Sequence, residues 1–268
     1  MNPKIKLLTF ALLGLFLLSV PLLFSSFYTT LAIQALIFGI FAMSLDILVG
    51  YTALPSLGHA AYFGIAGYSS ALFSMHITRH IVPGLLVGLG AAFILAVFFG
   101  LLALRTKGVY FLMITLALAQ VVWAIAFKWR AVTGGSDGIP GVPRPVLISN
   151  EYNYLADTGP YYFVVLFLFI ACFYLMKRFV HSPFGLALEG IRESESRMEA
   201  LGFNIWWYKY TAFIFSGAFA GISGSLFIYF NQFVSASDLN LHLSGTVFLM
   251  VILGGSGTLY GPAIGALI

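Results

Sequence analysis

Between Ser182 and Lys209 stand Glu189, Arg192, Glu193, Glu195, Arg197, Glu199 and Lys209, in a chain of 268 residues with only 13 Lys/Arg and 9 Asp/Glu. Carboxylates and guanidinium groups at this density can do acid–base work, hold a metal, or grip another protein. General acid–base chemistry needs two groups converging on one reacting atom, and a metal needs oxygen or nitrogen ligands at close spacing. Here acids and bases instead alternate at helical spacing, Glu189 with Arg192 and Glu193 with Arg197, where each pair contributes a few tenths of a kcal/mol. Two roles stay open from the residues alone: a solvated connector kept out of lipid by its charges, or a docking helix for a soluble partner. Elsewhere, Asp137 has no second carboxylate or histidine at ligand spacing, and no Ser/His, paired-Asp or His/Glu arrangement emerges. No catalytic residue, metal ligand or resident cofactor is expected.

The elements that carry these residues are apolar. Hydrophobic side chains make up 60% of the chain and charged ones 8%, against about 25% charged in a soluble domain. Apolar runs near 7–27, 28–50, 56–77, 82–104, 108–127, 161–180 and 208–232 each approach the ~20 residues that cross a bilayer as a helix. An eighth run, 243–268, is interrupted by Gly254-Gly255-Ser256-Gly257. The pattern predicts an all-α, polytopic membrane helix bundle of about eight spans, forming one domain over 1–268, with some helices broken at Gly and Pro. Strand alternation of the barrel type is absent. Lys4 and Lys6 ahead of the first run fit a signal peptide as well as an uncleaved first helix, and the length of the run favours the helix.

Basic loop residues are retained on the cytoplasmic side. With the N-terminus inside, nine of the Lys and Arg residues fall in the cytoplasm, while Arg79, Lys128, Arg130 and Arg144 face out. The charged stretch is then cytoplasmic. Ser182-Pro183 suits a helix start and Gly202 a stop, so one amphipathic helix of about nineteen residues is expected, with Leu188, Ile191, Met198 and Leu201 on its apolar face. Gly190 is expected to let that helix pack closely on a partner.

Within the spans, Pro55 is expected to break a helix and leave freed backbone groups lining protein or a cavity. This makes Gly58, His59 and Tyr62 pathway candidates, although a buried histidine can equally be a packed residue bonded to a neighbouring carbonyl. Thr115 and Gln120 share a predicted helix and join that set. Asp46 is expected near the cytoplasmic end of its span, reaching water or a neighbouring donor. Gly217, Gly221 and Gly224 fall near one helix face and are read as packing positions. "GYTALPSLGHA" and "GGSGTLYGPA" are two Gly/Pro-broken segments in opposite halves, the kind of pair found at transport sites. The external loop 128–160, with "VTGGSDGIPGVPRP", is dense in turn formers and is expected to be structured.

The order of "LVGYTALPSLGHAAYFGIAGYSSAL", "RTKGVYFLMITLALAQVVWAIAFKWRAVTGGSDGIPGVPRP", "SPFGLALEGIRESESRMEALGFN" and "GGSGTLYGPAIGAL" resembles branched-chain amino acid ABC transporter permeases of the LivM type. Urea-type permeases share part of the pattern. The resemblance implies that residues 182–205 form a coupling helix that seats on an ATP-binding subunit, through Glu189, Arg192, Glu193, Glu195 and Arg197. It implies three kinds of partner: cytoplasmic ATP-binding subunits, a homologous second permease, and an extracytoplasmic substrate-binding protein met by Arg130, Asp137 and Arg144. ATP belongs to those partner subunits, because no G-x-x-x-x-G-K-[ST] loop occurs and "GGSGTLYG" lacks the lysine. Location in a prokaryotic cytoplasmic membrane follows, and no nucleic acid is involved. LivM-type permeases continue past the equivalent of "GPAIGALI", so a shortened C-terminus is expected. An ion-coupled secondary transporter is the alternative reading.

Overall fold

In the computed structural model, residues 17–21, 23–147, 155 and 157–268 are described. Most of the first apolar run, and positions 148–154 of the external loop, lie outside that set.

Among the described residues, five helices are long and apolar enough to cross a membrane: α1 (Ser26–Thr52), α3 (Ile81–Ala103), α4 (Val109–Lys128), α6 (Thr158–Val180) and α9 (Ile205–Asn231). In numbering these, α2 is His59–His76, α5 Arg130–Thr133, α7 Pro183–Glu193, α8 Glu195–Ala200, α10 Leu241–Gly254 and α11 Tyr260–Gly265. Helices dominate because a backbone in hydrocarbon must satisfy its own N–H and C=O groups. The single sheet among the described residues is a two-residue antiparallel ladder, β1 (Ile139–Pro140) with β2 (Phe233–Val234), which ties the loop after α4 to the end of α9.

The central element is α9, packed on α1, α2 and α3. Its approach depends on small residues: a Cβ on Gly217 or Gly221 would overlap Ala96 or Ala92 of α3, and one on Gly224 would overlap the backbone of Phe63. The glycines expected to serve packing do so. Helices α3, α4 and α6 turn residues such as Ile94, Phe98, Met113, Val121 and Phe167 outward, as lipid-facing surfaces do.

Two spans are broken. After α1 ends at Ala53, in left-handed conformation (φ 52°), residues 54–58 run without helix and α2 begins at His59. His59 bonds to Ser216, whose hydroxyl donates to the Ser44 carbonyl, eight residues before the end of α1. The start of α2 is therefore about 12 Å inside the end of α1. The second break mirrors the first. From β2 the chain turns through a 3-10 segment, Ala236–Leu239, and α10 starts beside α2, the Ser244 hydroxyl accepting the Ala60 N–H at 2.9 Å. From there α2 and α10 run in opposite directions.

Candidate functional site

A buried polar layer lies where α2 begins. His59 Nε2 is 2.9 Å from Ser216 Oγ, and the imidazole stacks on Phe41 with ring centroids 6.1 Å apart. Tyr62 meets the same ring edge-on, and neither its hydroxyl nor His59 Nδ1 has a hydrogen-bond partner among the described residues. Gly58 presses on α4: a Cβ there would come within 2.7 Å of the Thr115 carbonyl oxygen. Gly58, His59, Tyr62 and Thr115 are all buried and brought together. Gln120 is not part of this layer; it is half-buried, about 7.5 Å farther along α4. Ser216 and Ser244 are members that a reading of the sequence missed. Serines inside apolar helices were the available signal, but they are common where no site exists.

A second set gathers at the end of α1. Asp46, fully buried, accepts the backbone N–H of Gly257 at 2.7 Å and that of Leu259 at 3.0 Å. Both donors lie in the loop between α10 and α11, where Gly257 (φ 81°) and Leu259 (φ 60°) are left-handed. Asp46 thus finds neighbouring donors rather than water. One turn beyond it, Gly50 packs so closely on Gly257 that any Cβ would collide. The two Gly/Pro-broken segments singled out in the sequence therefore meet here. Arg192 joins them by donating through Nη1 to the Gly50 carbonyl.

The charged stretch departs from the expected single helix. Ser182 caps α7 by accepting the Gly185 N–H at 3.3 Å, with Pro183 in the first turn, and Gly202 is left-handed (φ 87°) at the far end. Between them, however, Ser194 is extended (φ −160°, ψ 104°), closes α7 and caps α8 by accepting the Arg197 N–H. Serine can make that bond locally, and the bond competes with continuing the helix. The break separates Glu193 from Arg197, while Arg192, still on one helix with Glu189, turns to the Gly50 carbonyl instead. Among the described residues the ion pairs are Glu195 with Lys107 at 2.8 Å and with Lys209 at 2.5 Å. Gly190 makes room for Met198 of α8 rather than for a partner, since a Cβ there would approach Met198 Sδ to 2.8 Å. Leu188 and Ile191 are buried in the chain itself, while Leu186 and Leu201 stay exposed with Glu193 and Arg197.

Burial pushes the Glu195 carboxyl up, but hydrogen bonds from Lys107 and Lys209 outweigh it and leave the group below the ordinary carboxylate value. The bond to Glu195 raises Lys107 above the ordinary lysine value.

At the opposite end, Arg130 opens α5, Asp137 accepts the Ser136 hydroxyl at 3.0 Å, and Arg144 is half-buried. Left-handed Gly134, Gly135, Gly138 and Gly141 fold this loop, and Val146 exchanges backbone bonds with Arg79 and Ile81. The described part of the loop, 128–147, is structured, as its composition indicated.

Among the described residues no group of three or more His, Cys, Asp or Glu is placed to hold a metal ion. The arrangement offers hydrogen bonding, charge pairing and movable joints.

A family model described as "Branched-chain amino acid transport system / permease component" matches residues 27–268. The chain is 29% identical to the high-affinity branched-chain amino acid transport system permease protein LivM of Escherichia coli strain K12, over 99% of this chain and 67% of that protein. It is 28% identical to the protein of the same name from Salmonella typhimurium, over 92% of this chain and 63% of the relative. A probable LivM of Methanocaldococcus jannaschii is 25% identical over 85% of this chain and 75% of its own length. The chain thus spans about two thirds of the length of the first two relatives. No solved structure matches. With its long apolar helices and a family match over nearly its whole length, the chain is a multi-pass membrane protein that belongs to the branched-chain amino acid transport system permease component family.

Proposed function

We propose that this chain is the membrane-spanning permease subunit of an ABC importer for branched-chain or similar amino acids, driven by separate ATP-binding subunits. The observation that carries the reading is the joint at the end of α1: α7 is bonded to Gly50 through Arg192, and Gly50 is seated on the loop held by Asp46. A subunit gripping α7 and α8 would thereby push on a span and on the α10–α11 loop together. The gripped surface comprises Glu189, Glu193, Arg197 and the exposed Leu186 and Leu201, with Arg192, bonded to Gly50, and Glu195, bonded to Lys209, as fastenings. A partner that binds its ATP-loaded and ATP-free states to different packings of the spans would bias the pathway to open on one side at a time.

In this reading the N-terminus and α7–α8 are cytoplasmic, in a prokaryotic cytoplasmic membrane. The polar layer of Gly58, His59, Tyr62 and Thr115 belongs to the translocation pathway. Arg130, Asp137 and Arg144 meet an extracytoplasmic binding protein, and a homologous permease completes the membrane unit. The test is solute uptake into vesicles by the chain alone and by the chain with its ATP-binding subunits, binding protein and ATP. Uptake of leucine, isoleucine or valine only by the complete set supports the reading. Uptake by the lone chain under an ion gradient would replace it with a secondary carrier, and urea or amide uptake by the complete set would change the substrate.

A further inference from the structure

A cavity of about 460 Å³ opens at the end of the molecule that carries α7 and α8, lined in part by Leu54, Lys107, Glu195, Glu199, Trp206 and Lys209. Its charged lining is balanced: two ammonium groups face two carboxylates. Lys107 and Lys209 each engage one oxygen of Glu195, and a lysine ammonium has three donors, so each keeps two for another acceptor. Glu199 forms no ion pair among the described residues and is exposed. Leu54, Phe203, Ile205 and Trp206 add apolar surface to the wall, beside the polar Thr106 and Asn204. Leu54 begins the non-helical segment, residues 54–58, that leads to His59.

A ligand that suits this lining carries one carboxylate, one ammonium group and an apolar side chain. A monoanion would meet only the lysines and a monocation only Glu199, whereas a zwitterion answers both signs. Several times larger than one leucine side chain, the cavity also has room for water around the charged ends. We propose that it is a site for a free zwitterionic α-amino acid with an apolar side chain, entered from the α7–α8 side. The carboxylate lies between Lys107 and Lys209, the ammonium at Glu199, and the side chain on Leu54 and Trp206. Occupied by accumulated product, the site slows further release along the pathway. The inference rests on the amino-acid import reading above.

The experiment uses the complete transporter in proteoliposomes with α7–α8 facing the lumen, which is preloaded with L-leucine, 4-methylpentanoate or 3-methylbutylamine. Initial uptake of labelled leucine is then measured. Luminal leucine should slow uptake several-fold, while the acid and the amine, each lacking one charge, should have little effect at equal concentration. Glu199→Gln and Lys107→Gln should each raise the leucine concentration needed for the same slowing by about tenfold, the worth of one charge-assisted bond. Inhibition by either singly charged analogue as strong as that by leucine would overturn the site, as would inhibition unchanged in both variants or no inhibition at all. If the complete assembly imports no amino acid, the import reading itself falls; if it imports leucine without luminal inhibition, only the site falls.

Discussion

Asp46 Oδ1 accepts the Gly257 N–H at 2.7 Å while Oδ2 accepts the Leu259 N–H at 3.0 Å, so one carboxylate from α1 holds both flanks of a loop 211 residues away in sequence. Two charge-assisted bonds to a fully buried acceptor make this the strongest single fastening between the two ends of the chain. Asp46→Ala should lower stability by about 3 kcal/mol, because two backbone donors are left unanswered. Thermal unfolding in detergent checks it; an unchanged midpoint would show that the loop is held by other means.

Gly50→Ala tests the same joint from the steric side. The new Cβ collides with backbone of Gly257, which cannot swing aside as a side chain can, whereas Gly90 has nothing within 4 Å of an added Cβ. Gly50→Ala should therefore cost more than 2 kcal/mol, or abolish assembly, while Gly90→Ala should be neutral or slightly stabilising. Equal effects of the two substitutions, read by detergent-solubilised yield and melting, would contradict the packing.

The ion-pair cluster predicts an order of effects. Side-chain exposure is 83% for Lys107, 33% for Glu195 and 10% for Lys209. An exposed ammonium contributes little, so Lys107→Met should change stability by less than about 0.5 kcal/mol. Glu195→Gln leaves Lys209 buried without its counter-charge and should cost about 1–2 kcal/mol. A double comparison at low and high salt separates the two, since only the exposed pair should respond strongly to screening.

The acid limb of stability follows from the same carboxylate. Its value in the folded chain lies below the ordinary 4.5, so its contribution is complete above that pH and is lost as pH falls through the lower folded value. In Glu195→Gln the loss of stability below about pH 4.5 should be shallower than in the parent chain. Superimposable pH–stability curves would remove Glu195 from the account.

His59 and Ser216 should be energetically coupled. Ser216→Ala removes the partner of a fully buried imidazole nitrogen, and a double-mutant cycle with His59→Leu should return a coupling of about 0.5–2 kcal/mol. Additive effects would mean that the polar layer is not a connected unit.

Five of the eight expected spans, the broken segments and the charge-dense helix ends were legible in the sequence, because hydrocarbon thickness, proline geometry and capping chemistry act over a few neighbouring residues. Ser182, Pro183 and Gly202 sit where their chemistry places them. Ser194 was missed because a serine inside an amphipathic pattern reads as a polar-face residue until its hydroxyl is seen to take the Arg197 N–H. The partners of Asp46, Arg192 and Glu195 were out of reach for another reason. Each bond closes over a distance that only the packing of several helices fixes, and two of the three use backbone groups of glycines.

The seam between α3 and α9 is paved with Ala92 and Ala96 on one side and Gly217 and Gly221 on the other. Those small residues bring the two backbones close at mid-seam, and the seam is pegged at both ends, Tyr229 of α9 seating over Gly84 and Tyr210 over Gly100 of α3. The pair therefore travels as one rod, and a leucine planted at Ala92 would pry it open at its narrowest point.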